Sequence, residues 1–489
     1  MQELLQNITS SLAYIKPEIF LSTAVITILI VFLLSQNVRQ YHLSTALIII
    51  TIYGAMVFNQ LLISPTGGLF NGMIRIDEEI VFYKLLTVVS TFFILIYMIL
   101  KERKRYRFEF SIILLSAILG ASFMMMSTHF LMLYTSLELL SICSYILVYL
   151  SKGKSHQEAS LKYIIYGIVS SGLMIYGVSV LYLFIGSLSY QELVDYFISI
   201  QEWPSFIHVG ILFTLVGLLF KIGAVPFHIW IPDTYQGMSF GVASFLAVIP
   251  KISGIIGLFY LLQGPFQLVP YMPLLIIGLS VLTMMISSVA ALWQKDVLRL
   301  LGYSSILNTG FLLLGLTPAY LLMYQQEVSF SFYLMAYCFL TIAAFFTIGV
   351  IYQHLEDNKI KNLAGLGTNL PFMSVILVIS MVGLIGLPPT FGFSAKFMVM
   401  QSVINLKDTV DSSWLWGALV AGIIATVISL FFYLKLPYMV YLQKNEKDIT
   451  HVNVGLADKI LVALTIVPVV VGFVFWGSII DIIKLFISN

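Results

Sequence analysis

The sequence predicts an all-α integral membrane protein with about fourteen transmembrane helices. Three observations support this fold class. Hydrophobic residues make up 60% of the 489 residues and charged residues only 10%, a composition far from that of soluble domains. The chain divides into apolar runs that each reach the length of about 20 residues needed to cross a bilayer. Its Lys and Arg residues concentrate in alternate loops, as the positive-inside rule predicts when the number of transmembrane helices is counted correctly.

Each apolar run between two polar breaks is predicted to form one transmembrane helix. The runs cover residues 17–36, 43–63, 80–100, 108–126, 127–150, 160–187, 206–231, 240–263, 271–293, 297–316, 328–353, 372–400, 414–442 and 457–485.

Lys and Arg residues concentrate in the loops after spans 1, 3, 5, 9, 11 and 13, together with the adjoining helix ends. On this side lie Arg39, Lys101, Arg103, Lys104, Arg105, Arg107, Lys152, Lys154, Lys162, Lys295, Arg299, Lys359, Lys361, Lys444, Lys447 and Lys459. On the opposite side lie Lys16, Arg75, Lys84, Lys407 and Lys484. Because basic residues favour the cytoplasmic face, we expect both chain termini on the outer side.

Several classes of protein and site are excluded by composition. A formal net charge of +2 and the lack of Lys/Arg-rich runs argue against nucleic-acid binding. The two cysteines, Cys143 and Cys338, are too few and too far apart for a disulfide framework or an iron–sulfur site. We therefore expect no redox centre or metal on this chain. The first twenty residues lack the features of a cleaved signal, so the first span is expected to direct insertion.

Five charged residues lie inside predicted spans, where each costs about 2.5–3.5 kcal/mol at a helix centre. They are Glu138, Lys221, Lys251, Lys396 and Lys435. Charges retained at this cost mark functional sites in membrane proteins. They are the candidates for a proton or cation pathway.

The first unusual stretch is "FKIGAVPFHIWIPDTYQG", at residues 220–237. Pro226 has no N–H for the carbonyl of Ile222, so the seventh span should break just after Lys221. A broken helix at membrane depth requires cover by protein or by a water-filled cavity. The half-helix ending here presents its negative dipole end to a protonated Lys221. His228, within the same stretch, is read either as a proton carrier or as an interfacial histidine.

A second break occurs in "GLIGLPPTFGFSAKF", where Gly386, Pro388, Pro389 and Gly392 interrupt span 12 before Lys396. Because this lysine follows its break, we expect the positive end of the second half-helix to disfavour its protonated form. Two proline-interrupted spans at equal offset predict an internal repeat with functional sites at the breaks.

Glu138 lies midway along span 5, in "LYTSLELLSICSY". At helical spacing Thr135, Glu138, Ser141 and Tyr145 share one face, a polar stripe that lines a hydrated path or contacts another helix. A buried Glu138–Lys221 pair at matched depth would link proton arrival to charge movement. The alternative for the interior charges is a set of purely structural ion pairs, and Lys435, near a helix end, is expected to extend to the interface.

These motifs resemble the antiporter-like subunits of respiratory complex I, the NADH:quinone oxidoreductase. The resemblance covers about residues 100–440 and includes "LYTSLELLSICSYILV", "SLKYIIYGIVSSGLMIYG", "FLAVIPKISG", "VLRLLGYSSILNTGFLLLGL" and "GLIGLPPTFGFSAKFMV", in addition to the seventh-span signature. The Phe-Lys-Ile start and Tyr-Gln-Gly end of that signature look most like the subunit N branch, also called subunit 2.

The resemblance implies fourteen transmembrane helices in a single polytopic domain, residues 1–489. Two inverted five-helix repeats, 108–265 and 271–442, would each contain a proline-broken helix. The N-terminal helices, 1–107, would precede the repeats and the C-terminal helix, 457–489, would follow them.

The resemblance also implies proton translocation driven by electron transfer from NADH to quinone in other subunits, which would hold FMN, iron–sulfur clusters and quinone. Glu138 and Lys221 would form the charge pair of the first half-channel, Lys251 the connection and Lys396 the second half, with His228 a weaker relay candidate. The partners would be other membrane subunits of the complex, including antiporter-like neighbours, together with lipids and protons. A bacterial cytoplasmic membrane is favoured over a mitochondrial inner membrane.

Three positions depart from the family pattern. Gly223 stands where a small hydroxyl residue is usual, Gln236 where glutamate is frequent, and Asn308 where histidine is frequent. These departures affect the expected proton route more than the function. The alternatives are a subunit of a multi-subunit cation/proton antiporter and an inert scaffold whose charges are fixed ion pairs.

Overall fold

The structure is a computed structural model that describes residues 9, 11–63, 68–151, 155–200, 203–322, 324–355, 357–409, 413–443 and 454–487. Four of the basic residues used for the orientation, Lys152, Lys154, Lys444 and Lys447, lie outside the described residues, as do both chain ends. The predicted placement of the termini therefore stays a prediction.

The first half of the chain consists of helices joined by short connections. They are α1 (Lys16–Leu34), α2 (His42–Ile63), α3 (Glu78–Tyr97), α4 (Phe108–Met126), α5 (Phe130–Leu150), α6 (His156–Ile185), α7 (Tyr190–Ser199), α8 (Ser205–Ile222), α9 (Trp230–Gly237) and α10 (Phe240–Gln263). A π-helical turn, Met98–Glu102, extends α3, and a small antiparallel hairpin pairs β1 (Gly68–Leu69) with β2 (Ile74–Arg75).

The second half continues in the same way. Its helices are α11 (Met272–Leu292), α12 (Val297–Leu322), α13 (Tyr324–Tyr352), α14 (Leu366–Asn369), α15 (Pro371–Ile385), α16 (Phe391–Thr409), α17 (Trp414–Leu442), α18 (Leu456–Val474) and α19 (Trp476–Ile487). Short 3-10 helices lie at Gln36–Tyr41, Pro265–Leu268 and Ile360–Leu363.

The predicted spans match this helix order. Among the described residues, thirteen helices are long and apolar enough to cross a membrane, and α15 is a shorter apolar helix. Predicted span 12 is the pair α15 and α16, and predicted span 7, residues 206–231, is α8 together with the turn that leads into α9. The prediction of an almost entirely helical membrane protein is confirmed, whereas the two inverted repeats remain a prediction.

Helix α10 forms the centre of the molecule. Every residue from Phe240 to Leu262 is buried, and α10 packs against α3, α4, α8, α12 and α13. The outer helices instead expose large apolar side chains, such as Leu34 on α1 and Leu183 on α6, at 83% and 78%. A helix that is apolar on all sides suits either a protein core or the hydrocarbon of a bilayer.

Both predicted helix breaks are present. Helix α8 ends at Ile222 and α15 at Ile385, and each is followed by a glycine in the left-handed region, Gly223 at φ 74° and Gly386 at φ 86°. Glycine adopts this conformation without the steric cost that a Cβ brings. In the first break, the Val225 N–H donates to Thr283 Oγ1 on α11 at 3.1 Å. Side chains of neighbouring helices thus replace the lost helical hydrogen bonds.

Candidate functional site

Lys221 lies in the last turn of α8 and is 2% exposed. Its Nζ donates to Ser141 Oγ at 3.1 Å and to Ser144 Oγ at 3.4 Å, both on α5. The aliphatic part of the lysine packs beside Gly254 of α10, where an added Cβ would lie 3.6 Å from Lys221 Cγ. The amine therefore sits where α5, α8 and α10 meet.

Glu138 is half-buried on α5, and one of its carboxylate oxygens is enclosed without a hydrogen-bond partner among the described residues. No ion pair within 4.0 Å joins it to Lys221 in the described part of the chain. The expected direct pair is therefore absent from this structure. Glu138 lies three residues before Ser141, roughly 4.5 Å along the helix axis, so the serine hydroxyls take its place at the ammonium.

Lys251, on α10, is also 2% exposed. Its Nζ donates to the carbonyl oxygen of Ser305 at 2.7 Å and to Ser305 Oγ at 2.6 Å, both on α12. The ring of Tyr337, on α13, lies 5.3 Å from the amine, and its hydroxyl bonds to Ser305 Oγ at 3.1 Å. A hydroxyl network thus surrounds this lysine.

Lys396, near the start of α16, is 5% exposed. Its Nζ reaches back across the break and donates to the carbonyls of Leu384 at 3.1 Å and Ile385 at 2.8 Å. These carbonyls form the negative end of α15, which favours a positive charge. The expected influence of the positive end of α16 therefore competes with the negative end of α15, because the long side chain carries the ammonium towards α15. Both break lysines lie at the carbonyl end of a half-helix.

One helix, α12, reaches all three lysine sites. Ser305 binds Lys251, and Thr309 Oγ1 donates to the carbonyls of Ile222, next to Lys221, at 3.0 Å and of Ser305 at 3.1 Å. The ring of Phe311 lies 4.6 Å from Lys396 Nζ, a cation–π distance. The structure therefore brings Lys221, Lys251 and Lys396 to a common helix.

His228 lies half-buried in the turn between α8 and α9. No hydrogen bond among the described residues joins it to Glu138 or to the three lysines. Lys435, on α17, is half-buried and donates to the Gln294 carbonyl at 2.7 Å, close to the end of α11. The expectation that Lys435 extends to the interface stays a prediction.

The positions that depart from the family pattern have structural partners. Asn308 is buried on α12, donates to the Ser304 carbonyl and accepts from the Tyr333 hydroxyl, both at 2.9 Å. Gln236 accepts from Arg299 at 3.2 Å. Gly223 has a positive φ, and an added Cβ there would lie 2.0 Å from Ile231 Cδ1.

A polar cavity of about 610 Å³ opens on the face that carries the basic loops. At its wall, Asp233 pairs with Lys162 at 3.1 Å and with Arg299 at 3.0 Å. Burial raises the pKa of the nearby Asp296 carboxyl above its ordinary value. The lining residues are Ser155, Glu158, Ala159, Lys162, Asp233, Gln236, Asp296, Arg299, Asp357, Asn358 and Lys359. Acidic groups therefore surround the position of Gln236.

Sequence reasoning missed several buried charges. Four further glutamates, Glu18, Glu79, Glu102 and Glu327, are each less than 9% exposed. Lys84, assigned to the outer side by position, is instead fully enclosed and pairs with Glu18 at 2.6 Å. Lys84 lies inside the predicted run 80–100, so treating it as an interior charge would have identified it.

The described residues contain no group of three or more His, Cys, Asp or Glu side chains arranged to hold a metal ion. Cys143 and Cys338 are both buried and free.

Comparison with known proteins identifies the family. Residues 127–429 match the family model described as the transmembrane region of NADH:quinone oxidoreductase and Mrp antiporters. A relative named NADH-quinone oxidoreductase subunit N 2, from Chloroherpeton thalassium, is 36% identical over 97% of this chain and 94% of its own length. NADH-quinone oxidoreductase subunit N from Pelagibacter ubique is 32% identical over 97% of this chain and 98% of its own length. The chain belongs to the NADH-quinone oxidoreductase subunit N family.

Solved structures share the fold of this chain. A chain of respiratory complex I from Thermus thermophilus with bound aureothin has a TM-score of 0.78 at 23% identity, with 95% of this chain and 98% of that chain covered. A chain of the Mrp complex from Dietzia sp. DQ12-45-1b has a TM-score of 0.81 at 16% identity, with 98% and 97% covered. At these identities the likeness shows the fold alone, so the full-length relatives decide for subunit N over the cation/proton antiporter alternative.

Proposed function

We propose that this chain is a proton-translocating membrane subunit of NADH:quinone oxidoreductase that performs no redox chemistry itself. The supporting observation is that three enclosed lysines, Lys221, Lys251 and Lys396, donate only to neutral oxygen atoms among the described residues, and that α12 contacts Lys251, Lys396 and the carbonyl of Ile222 next to Lys221. Enclosed charges without a carboxylate partner are costly to maintain. An amine in this environment is suited to giving up and regaining a proton.

The proposed route begins at Glu138 and Lys221. Quinone reduction elsewhere in the complex would drive a conformational or electrostatic change that moves the Lys221 ammonium between the hydroxyls of Ser141 and Ser144 and the Glu138 carboxylate. Because Ser141 and Glu138 lie about one turn apart on α5, a change in the lysine rotamer spans the separation. His228, in the adjacent turn, would serve the entry step.

From Lys221 the proton would pass to Lys251 and then to Lys396, which releases it outward. The hydroxyls of Thr309 and Ser305 lie between the first break and Lys251, and water would complete the steps between them. Moving one proton against 100 mV costs about 2.3 kcal/mol. Breaking one enclosed charge contact is of the same order, so the energies of coupling and transport are compatible.

The proposal places FMN, the iron–sulfur clusters and quinone in other subunits of the complex. Other membrane subunits, including antiporter-like neighbours, and lipids would surround this chain. It would lie in a bacterial cytoplasmic membrane with both termini outside, and residues 108–265 and 271–442 would be the two inverted repeats.

The test is NADH-driven proton pumping in inverted membrane vesicles that contain equal amounts of assembled complex. Lys221→Ala should abolish pumping together with quinone-coupled NADH oxidation. Lys435→Ala is the matched control, because this lysine lies half-buried near a helix end and contacts none of the three sites. Native pumping by Lys221→Ala would contradict the proposal.

A second candidate, cation/proton exchange, is favoured by the fold shared with the Mrp complex and by the family model, which covers Mrp antiporters as well. It would appear as Na⁺ or K⁺ exchange against protons without NADH, lost in Lys221→Ala.

A further inference from the structure

Helix α3 and its π-helical turn run antiparallel to α10 and contact it near both ends through buried carboxylates. Near one end, Glu79 Oε2 accepts from the Tyr260 hydroxyl at 3.0 Å. At the other end, Glu102 accepts from Ser239 Oγ at 3.1 Å and from the Gly241 N–H at 3.2 Å. Both carboxylates therefore bind the helix that carries Lys251.

The lengths of the two helices agree with this arrangement. Glu79 and Glu102 are separated by 23 residues, and Gly241 and Tyr260 by 19. At about 1.5 Å per residue these separations correspond to roughly 35 and 29 Å, so one helix spans nearly the whole length of the other. Glu79 and Glu102 are 8% and 3% exposed.

Neither carboxylate has a basic partner within 4.0 Å among the described residues. Glu79 otherwise accepts from Tyr83 at 2.8 Å, and Glu102 from Tyr106. Their hydrogen bonds among the described residues are thus directed to hydroxyl and amide donors.

A proline interrupts the hydrogen bonding in the middle of α10. Pro250 lies inside the helix, directly before Lys251. Because proline has no N–H, the carbonyl of Leu246 loses its helical partner and the helix can bend at this point. Fixing both ends of α10 limits that bend and so sets where the Lys251 amine meets Ser305.

We propose that α3 positions Lys251 by holding α10 at both ends, with Glu79 and Glu102 as positioning residues. This inference rests on the proposed function, since it requires Lys251 to lie on the proton path. It assigns a role to a helix outside residues 127–429 of the family match and outside both predicted repeats. The N-terminal helices would then control the geometry of the pathway without carrying protons.

The test removes the two hydroxyl donors on the α10 side and leaves both carboxylates in place. The variant is Tyr260→Phe/Ser239→Ala. The matched control is Tyr53→Phe/Ser122→Ala, because these hydroxyls donate to Glu18 on α1 at 3.2 and 2.9 Å, hydrogen bonds that involve no residue of α3 or α10. Both double variants lose one Tyr and one Ser hydroxyl that donate to buried carboxylates, which are Glu79 and Glu102 in the test variant and Glu18 in the control.

We expect the test variant to lower kcat of quinone-coupled NADH oxidation about tenfold per assembled complex, with the KM for quinone unchanged. Proton pumping should fall in parallel, and the control should keep native kcat. Native kcat in the test variant, or an equal loss in the control, would overturn the positioning role. If the double variant does not assemble, Tyr260→Phe measured against Tyr53→Phe decides in the same way, because each removes a single oxygen atom.

Lys251→Ala, measured beside them, separates this inference from the proposed function. Native activity in Lys251→Ala contradicts the proposed route itself. Loss of activity in Lys251→Ala together with native activity in Tyr260→Phe/Ser239→Ala contradicts only the positioning by α3.

Discussion

Replacement of Gly223 by alanine should destabilise the first helix break in two separable ways. The residue has φ 74°, a conformation that costs an L-residue with a Cβ roughly 1–2 kcal/mol. The new Cβ would also lie 2.0 Å from Ile231 Cδ1, and such overpacking costs about 1–3 kcal/mol. The free energy of unfolding should therefore fall by about 2–5 kcal/mol in total.

The second contribution can be removed by shortening the clashing side chain. Ile231→Val deletes the Cδ1 atom and, alone, should cost about 0.5–1.5 kcal/mol. Combined with Gly223→Ala it should instead recover the overpacking part of the loss, because the Cδ1 methyl group is gone and the backbone cost remains. The double variant is therefore expected to be more stable than Gly223→Ala alone.

The assay is the temperature at which membranes lose half of their quinone-coupled NADH oxidation, with the amount of assembled complex measured in parallel. Gly172→Ala on α6 is the control, since nothing lies within 4 Å of its added Cβ. Heat stability of Gly223→Ala equal to that of the native chain, or a further loss of stability when Ile231→Val is added to Gly223→Ala, would contradict a clash at Ile231 Cδ1.

Three other substitutions test separate contacts. Lys84→Met leaves Glu18 enclosed without its cation and should lower the free energy of unfolding by about 3–5 kcal/mol. The amount of the chain in the membrane should fall as a result. Adding Glu18→Gln should recover most of that amount. Tyr337→Phe removes a hydroxyl that donates to a carbonyl of α10 at 2.6 Å. We expect the kcat of NADH oxidation to fall about two- to tenfold at unchanged assembly. An unaltered kcat would contradict a role for this hydroxyl beside Lys251. Gly392→Ala would place a Cβ 1.9 Å from a backbone carbonyl oxygen of α15 and should force the two half-helices apart. Assembled complex should therefore be lost on native gels. Gly417→Ala, whose added Cβ meets open space, should assemble normally.

The positions of the helices and of both breaks follow from local rules. Apolar runs specify spans because the bilayer requires a fixed length, and Pro226 and Pro388 specify breaks because proline lacks an N–H. Because Lys221, Lys251 and Lys396 lie inside these apolar runs, the sequence alone identified them as enclosed charges.

The partners of those charges depend on tertiary structure and were not predictable in the same way. Lys396 was expected to respond to its own helix, but its flexible side chain extends to the carbonyls of the preceding half-helix. Lys84 and Glu18 are about 66 residues apart and become partners only when α1 and α3 pack together. Sequence distance from a span end does not reveal which side chains a neighbouring helix encloses.

The shared contacts of α12 have a genetic consequence. Ser305, Thr309 and Phe311 occupy less than two turns of this helix and contact Lys251, the carbonyl of Ile222 beside Lys221, and Lys396, respectively. A rotation or slide of α12 that relieves a defect at one lysine must alter the surroundings of the other two. Second-site suppressors of a lysine-site mutation should therefore map to α12, even when the original lesion lies on α5, α8 or α16.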